Sequence, residues 1–350
     1  MRKTLSAMLL SCIISSCNQT GMLQNVEKAF FYWKSNSSID DESQENFKKL
    51  KAQKLYFKVF EIGYSPVKGN FPFEKQRLTQ EIYQNLDSAL VVPTIFVKND
   101  IFAHNNEKTL DQLAENIVFL VEKFSKNEND ETQKVYSYDE IQIDCDWTKS
   151  TQEKYFYLLK KIKELSDKQL SCTLRLYPYK FSDEMGVPPV DKAMLMCYNL
   201  IKPLAQKNKN SILDLDELKK YLIPQQNYPL HLDIALPVFN WNVLYQNNQF
   251  VKLLNISPQE VKSFTQETEK MWYTVRNDTS LNYGQTYLRK GDQIKIEEIN
   301  KQTLNEAIAI LKQNVVFEKN TTVSLFDLDI NTFKQYNNEE LANFYNSFTK

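Results

Sequence analysis

Glycine and histidine are scarce in this chain, and their scarcity excludes several kinds of site. Only 6 glycines occur among 350 residues, and none forms a Gly-x-Gly-x-x-Gly or Walker pattern. A glycine-rich loop that cradles phosphate is therefore absent. The 2 histidines are far apart, and no Cys-x-x-Cys pair accompanies them. The sequence predicts neither a nucleotide cofactor nor a metal ion.

Neither basic nor acidic residues are in excess. The 43 Lys and Arg residues nearly balance the 44 Asp and Glu residues, and both kinds are scattered along the chain. Surfaces that bind nucleic acid need basic clusters, so no nucleic-acid partner is expected. Aromatic residues make up 13% and hydrophobic residues 42% of the chain, which is enough for the core of one large domain. The aromatic content is also compatible with a carbohydrate partner.

The N-terminal apolar stretch, Leu5 to Ile14, is too short to span a bilayer as a stable helix. Basic residues precede it and Ser15-Ser16-Cys17 follows, which is typical of a secretory signal. Ile-Ser-Ser-Cys resembles the bacterial lipoprotein signal, in which the cysteine becomes the lipidated first residue. We expect residues 1–16 to be removed and Cys17 to anchor the protein to a membrane of the cell envelope, outside the cytoplasm. Residues 17–28 would then link the anchor to a single domain of residues 29–350.

Two alternatives remain open for the cysteines near the N-terminus. Leu9-Leu10-Ser11-Cys12 fits the same loose pattern with a shorter apolar run, and an ordinary signal peptide with a coincidental Cys17 is the other interpretation. The remaining cysteines, Cys145, Cys172 and Cys197, are odd in number and widely spaced, unlike a disulfide framework. We interpret all three as buried structural residues.

Short apolar strands alternate with helix-length amphipathic stretches along the rest of the chain. This pattern predicts an α/β fold, a (β/α)8 TIM barrel with a small β-hairpin inserted near residues 285–297. A doubly wound open sheet is the alternative. Two helix starts are predicted, a capping box at Ser150-x-x-Glu153 and an N-cap with proline at Ser257-Pro258. The eight predicted strands are Ala29 to Trp33, Leu55 to Ile62, Ala89 to Val97, Ile141 to Asp146, Leu170 to Tyr177, Ala193 to Tyr198, Leu232 to Val238 and Thr322 to Leu328.

The fourth of these strands carries polar side chains at every second position. Glu140, Gln142, Asp144 and Asp146 share one face, and apolar residues occupy the other. An unpaired buried carboxylate costs several kcal/mol, so this face predicts either a wet cavity or a cationic partner. Because TIM-barrel sites lie at the carboxyl ends of the strands, Asp146 is expected at the mouth, Asp144 one layer deeper and Glu140 near the floor.

Other predicted strands end in polar or aromatic residues that would meet Asp144 and Asp146. Arg175 is expected to approach either carboxylate, which also permits a purely structural ion pair. Lys58 and Glu61 lie at opposite parities, so either one could face inward, and Asp233 is expected at the floor with a role in stability. The further residues predicted to line the mouth are Met196, Tyr198, Asn199, Trp241, Asp327 and Asp329.

Several strand ends together resemble glycoside hydrolase family 18, the chitinase-like barrels. Ile-Asp-Cys-Asp-Trp-Thr, residues 143–148, resembles the Asp-x-Asp-x-Glu signature of that family. Met196-Cys197-Tyr198-Asn199 resembles its Met-x-Tyr-Asp or Met-x-Tyr-Asn motif, and Leu236-Pro237-Val238-Phe239 followed by Trp241 resembles its seventh-strand sugar platform. The resemblance implies a barrel that binds or hydrolyses a glycan, with Asp144 and Asp146 as candidate catalytic residues.

One position departs from the family pattern. The resemblance places Thr148 where family members have the glutamate that protonates the leaving oxygen, and threonine cannot do this near neutral pH. Three routes follow. Asp146 serves as the acid, another strand supplies it through Glu61, Asp327 or Asp329, or the barrel binds glycans without hydrolysis.

The mature chain also resembles an uncharacterised family of bacterial lipoproteins with the same Tyr-Trp-Lys, Gln-Ile-Asp-x-Asp and Ala-Leu-Pro landmarks. That resemblance implies no reaction. We therefore expect a lipid-anchored, glycoside-hydrolase-like barrel that acts on or binds carbohydrate. The alternative is a non-catalytic envelope lipoprotein that binds glycans or serves as a scaffold.

Overall fold

A computed structural model describes residues 24–35, 38–202, 206–224, 226–254, 256–281 and 285–349. The predicted signal peptide and Cys17 lie outside the described residues. Within the described ranges no helix combines the length and the apolar character needed to cross a membrane.

The strands alternate with helices for most of the chain. The strands are β1 Asn25–Tyr32, β2 Lys54–Ser65, β3 Gly69–Phe73, β4 Leu90–Val97, β5 Glu140–Asp144, β6 Gln169–Arg175, β7 Lys192–Met196, β8 His231–Pro237, β9 Trp241–Gln246, β10 Gln249–Leu254, β11 Thr265–Glu269, β12 Trp272–Val275, β13 Thr279–Leu281, β14 Thr286–Leu288, β15 Gln293–Glu297 and β16 Asn320–Phe326. The helices are α1 Asp41–Lys49, α2 Gln80–Asn85, α3 Glu107–Phe124, α4 Gln152–Leu165, α5 Leu176–Lys180, α6 Ser182–Met185, α7 Leu215–Tyr221, α8 Pro258–Phe264, α9 Lys301–Asn314, α10 Ile330–Gln335 and α11 Asn338–Asn346, with a short 3-10 helix at Asn99–Ala103.

Eight parallel strands close into a barrel. Their order is β1-β16-β8-β7-β6-β5-β4-β2, and β2 pairs with β1 to complete the ring. All eight strands predicted from the sequence belong to it, so the (β/α)8 prediction is confirmed and the open-sheet alternative is wrong. The first strand begins earlier than predicted, because residues 25–28 pair in register with residues 320–323 of β16. Those four residues are therefore part of the barrel rather than of a linker.

The helices cover the barrel through apolar stripes at helical spacing. In α4 the buried residues are Tyr155, Leu158, Leu159 and Ile162, which recur every three or four positions. The helix starts at Gln152, and its cap residue is Thr151, whose side chain accepts no hydrogen bond from a helix amide. The predicted capping box at Ser150 is therefore wrong. The predicted start at Ser257 is confirmed, since its side chain accepts a hydrogen bond from the Glu260 amide and Pro258 is the first helical residue.

The insertion is larger than the predicted hairpin at 285–297. A five-stranded antiparallel sheet, β10-β9-β15-β12-β11, occupies residues 241–297 and packs a separate small core around Leu244, Val261 and Ile294. β14 pairs with β13, whereas β15 pairs with β9 and β12. The alternation of residues along the sequence predicted two strands and a turn. It did not predict their partners, because pairing depends on which strands, often distant in sequence, offer a matching apolar face.

Candidate functional site

The polar face of β5 runs along the barrel interior from the floor to the mouth. Glu140, Gln142 and Asp144 are all buried, whereas Asp146, just beyond the strand, is partly exposed. The expected order of these groups along the barrel axis is therefore the observed one. The two ends of the row have different surroundings.

A network of buried charges occupies the floor. The Lys192 ammonium lies 2.8 Å from the Glu140 carboxylate and 2.9 Å from that of Asp233. Lys54 binds Glu27 at 2.5 Å. Although burial opposes ionisation, hydrogen bonding from His231 and the charge of Lys192 lower the pKa of Asp233 well below its ordinary value. The network neutralises the buried carboxylates, and its place at the amino ends of the strands assigns it to stability.

A depression of about 580 Å³ opens beside this network at the floor. Its charged lining residues pair with one another, as Lys192 does with Asp233. Barrels of this kind place their chemistry at the opposite end. The candidate site is therefore at the mouth.

Asp144 lies just below the mouth and is closed off from solvent. The Thr173 hydroxyl donates a hydrogen bond of 2.5 Å to its carboxylate. Burial raises the pKa of Asp144 to about 7, and the charge of Asp146 acts in the same direction, while the Thr173 hydrogen bond and the charge of Arg175 oppose the rise. Asp144 is thus a carboxyl group that holds a proton over much of the neutral range.

Asp146 is neutralised by Arg175. The guanidinium binds the carboxylate through both oxygens, with Nε 2.5 Å from Oδ1 and Nη2 2.9 Å from Oδ2. Side-chain exposure is 43% for Asp146 and 47% for Arg175, so the pair is in contact with water. Both oxygens of this carboxylate are therefore engaged by the guanidinium.

Thr148 is exposed in the loop before α4. Its hydroxyl shares hydrogen bonds with Ser150 at 2.9 Å and Thr151 at 3.2 Å. The position that the sequence resemblance aligns with the family's acid therefore belongs to a loop network. It provides no ionisable group.

Lys58 and Glu61 both belong to the mouth, where they form an ion pair of 2.6 Å. Residues three apart on a regular strand face opposite ways. The register between β2 and β4 shifts between Lys58 and Phe60, and this bulge brings the two side chains to the same side. Lys58 also donates a 2.7 Å hydrogen bond to Ser35 and lies over the Trp33 ring.

Met196 and Tyr198 lie within the wall of the barrel mouth. Both are buried, and the Tyr198 ring packs 5.2 Å from Phe326 and 5.9 Å from Phe239. Asn199 follows with a φ of 54°, and its buried side-chain oxygen accepts no hydrogen bond from any described residue. Of these three predicted residues, only Asn199 reaches an open surface.

That surface is a cleft of about 420 Å³ at one side of the mouth. It is lined by aromatic and polar side chains from the carboxyl ends of β1, β7, β8 and β16 and from the inserted sheet. The lining residues include Trp33, Lys34, Asn199, Phe239, Trp241, Asp327 and Asp329. Asp144, Asp146, Arg175 and Glu61 do not line it.

Two carboxyl groups in the cleft have different partners. Lys34 forms an ion pair with one oxygen of Asp329, and the Asn331 amide donates to the other at 2.6 Å. Burial, together with the charge of Asp329, raises the pKa of Asp327 to about 7, and the charge of Lys34 opposes the rise. The cleft therefore combines a carboxylate paired with a lysine and a carboxyl group whose pKa is raised by burial.

No family model matches the chain, and no curated protein sequence is significantly similar to it. Among solved structures, the spore cortex-lytic enzyme SleL of Bacillus cereus is similar over 94% of this chain and 76% of its own, with a TM-score of 0.54 and 13% identity. A family 18 chitinase variant from Cycas revoluta, in complex with (GlcNAc)4, is similar over 93% of this chain and 100% of its own, with a TM-score of 0.50 and 10% identity. The fold is that of the chitinase-like barrels.

The sequence predicted which residues lie at the mouth of this barrel, but it did not predict which of them share the cleft. Arg175 and Asp146 come together as predicted, and Asn199, Trp241 and Asp329 share the cleft. Lys34 and Phe326 were not predicted to take part. Phe326 ends β16 and Lys34 is the second residue after β1, and this position at the end of a barrel strand is the signal that could have identified them.

The described residues of the chitinase-like barrel contain no group of three or more His, Cys, Asp or Glu side chains that could hold a metal ion. The three cysteines predicted to be structural are free and buried. The side chains at the mouth are carboxyl groups, amides, cations and aromatic rings.

Proposed function

We propose that this barrel binds a glycan in the cleft beside Trp241. The observation that carries the proposal is the composition of the cleft, in which the rings of Trp33, Phe239 and Trp241 stand beside the polar side chains of Asn199 and Asp327. Sugars present apolar faces that stack on aromatic rings and hydroxyl groups that need hydrogen-bond partners. A volume of about 420 Å³ is within the usual range for small-ligand sites.

The glycan is proposed to contain 2-acetamido sugars. Support comes from the Cycas revoluta chitinase, which shares the fold and was solved with (GlcNAc)4. Asn199 lines the cleft, and its side-chain amide is a group that hydrogen-bonds to sugar hydroxyls and acetamides.

Hydrolysis by the route of the family's fourth strand is not part of the proposal. Thr148 has no proton to give at neutral pH, and Arg175 neutralises Asp146. The ion pair is equally compatible with the alternative of a non-catalytic envelope lipoprotein, because an Arg–Asp contact of this kind needs no ligand. Glycan binding distinguishes the two functions.

Isothermal titration of the purified protein with (GlcNAc)4 tests the proposal. We expect saturable binding that Trp241→Ala weakens at least about tenfold, equivalent to about 1.4 kcal/mol, because the stacking surface is lost. Phe119→Ala is the matched control, since Phe119 is exposed on α3 away from the mouth. Absence of binding to N-acetylated oligosaccharides, or equal affinity of the Trp241→Ala variant, would contradict the proposal.

We propose in addition that Cys17 is lipidated and tethers the barrel to an envelope membrane. Eight residue steps separate Cys17 from Asn25, where β1 begins at the floor, and they reach at most roughly 28 Å. Such a tether would place the floor toward the membrane and the cleft away from it. Metabolic labelling with a fatty acid tests the anchor. Cys17→Ala should lose the label and Cys12→Ala should keep it, and the opposite result would transfer the anchor to Cys12.

A further inference from the structure

Four large aliphatic side chains are exposed at the floor of the barrel. Each is between 44% and 56% exposed, and each lies where a helix ends or where the next barrel strand is about to begin. They are Leu90 at the start of β4, Leu165 at the end of α4, Ile223 between α7 and β8, and Val316 between α9 and β16. In a TIM barrel these helix-to-strand connections run past the amino ends of the strands, which form the floor.

The backbone directs two of these side chains away from the core although their neighbours are packed inside it. Val316 lies between Val315 and Phe317, which are both buried, and Ile223 directly follows the buried Leu222. A single exposed aliphatic residue is common on protein surfaces. Four at the same end of one barrel indicate a surface that another body covers.

The four aliphatic side chains are spread around the rim of the floor. They belong to the connections that lead into β4, β6, β8 and β16, which occupy different parts of the eight-stranded ring. A small ligand in the floor depression could not contact all of them. A broad and flat partner could, and a lipid bilayer has such a surface.

Basic side chains at the floor complement a negatively charged partner. Lys48 and Lys51 are exposed at the end of α1, and Lys319 is exposed directly before β16. Among the described residues none of these three forms an ion pair, whereas Lys49 is paired with Glu45. A helix end alone favours a lysine such as Lys48, but Lys51 and Lys319 lie outside helices. Lysines near a membrane surface are attracted to anionic lipids.

The described part of the chain begins at the same end of the barrel. The amide of Gln24 donates a hydrogen bond of 3.0 Å to the Lys319 carbonyl, so the segment before Gln24 approaches from the floor. Seven residue steps separate Gln24 from Cys17, and they reach at most roughly 25 Å. A lipid on Cys17 would hold the floor within that distance of the bilayer. The floor is therefore the surface that meets the membrane first.

We propose that the floor of the barrel docks on a bilayer that contains anionic lipids. The four aliphatic side chains enter the head-group region, and Lys48, Lys51 and Lys319 face the lipid phosphates. The choice of partner rests on the anchor proposed for Cys17, whereas the contact itself needs no lipidation. A tether limits the distance of the barrel from the membrane, and docking in addition fixes its orientation, with the cleft opening away from the lipid.

Vesicle flotation of the protein without its lipid anchor tests the docking. The chain from residue 17 onward, carrying Cys17→Ala, keeps every described element, because β1 closes the barrel from Asn25. The vesicles contain equal parts of phosphatidylcholine and phosphatidylglycerol. We expect binding that replacement of the four aliphatic residues by serine weakens at least about tenfold, since affinity for an interface scales with the apolar area that enters it.

Two matched controls use exposed residues remote from the floor. Val67→Ser with Phe119→Ser removes exposed apolar side chains from the β2–β3 turn at the mouth and from the middle of α3, and it should leave binding unchanged. Lys48→Gln with Lys51→Gln should weaken binding to the mixed vesicles and not to vesicles of phosphatidylcholine alone. Lys108→Gln, exposed at the amino end of α3, should have no effect on either.

Any of three results would overturn the docking. They are no vesicle binding by the Cys17→Ala protein, equal binding by the fourfold serine variant, and an equal loss of binding in the Val67 and Phe119 control. A dimer in analytical ultracentrifugation that the fourfold variant converts to a monomer, without vesicle binding, would assign the floor to a second copy of the chain. Fatty-acid labelling and titration with (GlcNAc)4 decide the anchor and the glycan separately. A thermal melt of each variant shows whether it is folded.

Discussion

Arg175 binds Asp146 through both carboxylate oxygens, at 2.5 Å and 2.9 Å, and this contact neutralises the most exposed carboxylate of the polar row that β5 begins. A bidentate guanidinium pair fixes the geometry of both side chains. The side of the mouth with the strongest sequence signal is therefore neutralised. The open cleft lies on the other side, between the ends of β1, β8 and β16.

Because the Asp146–Arg175 ion pair is exposed, its loss is expected to have a small effect on stability. Asp146→Asn is expected to change the free energy of unfolding by no more than about 1 kcal/mol, because solvent screens exposed ion pairs. Urea denaturation at neutral pH measures it. A loss of several kcal/mol would show that the pair supports the barrel structurally, contrary to its 43% and 47% exposure.

A substitution in the buried charge network at the floor is expected to destabilise the protein much more. Asp233→Asn leaves Lys192 buried with one carboxylate fewer and replaces the charged acceptor of the Thr322 amide, 2.7 Å away, with a neutral one. Breaking a buried ion pair from one side costs roughly 3–5 kcal/mol. The same urea titration should show a much lower midpoint than for Asp146→Asn. Similar midpoints for the two variants would contradict the assignment of the floor to stability.

The raised pKa of Asp144 makes the stability of the protein depend on pH. Its pKa is about 7 in the folded protein against 3.8 for the ordinary group, so the folded state binds the proton more tightly. Its contribution to stability is therefore fully present below about pH 4 and is lost as the pH rises toward 7. A tenfold difference in proton affinity between the folded and unfolded states is equivalent to about 1.4 kcal/mol of stability.

Asp144→Asn should flatten this part of the profile of unfolding free energy against pH. Asp167→Asn, at an exposed position, should leave the profile unchanged. If the unfolding free energy changed between pH 4 and 7 by the same amount in wild type and Asp144→Asn, the Asp144 carboxyl group would not hold this proton.

Thr148→Glu restores the residue type that the family resemblance places at this position, yet it is not expected to create hydrolysis by the family's route. Thr148 is exposed in a loop with Ser150 and Thr151, and Asp146 is held by Arg175 rather than free to orient an acetamide. With (GlcNAc)4 that carries a fluorogenic leaving group as substrate, Thr148→Glu should release no more fluorophore than wild type. A gain of tenfold or more would show that the fourth-strand site is intact apart from its acid.

The barrel could be predicted because its signals are local. Each of the eight strands is a short apolar run with a helix-length stretch after it, and the alternation of period two along β5 predicted which side chains face inward. The inserted sheet could not be predicted in the same way. β15 pairs with β9, some 50 residues earlier in the chain, and the sequence of neither strand indicates which strand it pairs with.

The site was predicted in part for the same reason. Strand ends identify which residues reach the mouth, so Asn199, Trp241, Asp327 and Asp329 could be named. The inward turn of both Lys58 and Glu61 depends on a bulge, which the alternation rule cannot anticipate.

Residue type and spacing along the chain were enough to establish the number and order of the barrel strands, the polar row inside the barrel and the lack of an acid at Thr148. Which carboxyl groups are neutralised, and which one faces an open cleft, followed from the folded chain alone. That outcome depends on contacts between segments as distant as Lys34 and Asp329, which closure of the barrel brings together. Charge pairing and desolvation act through space, so Asp146 is paired with Arg175 whereas burial raises the pKa of Asp327.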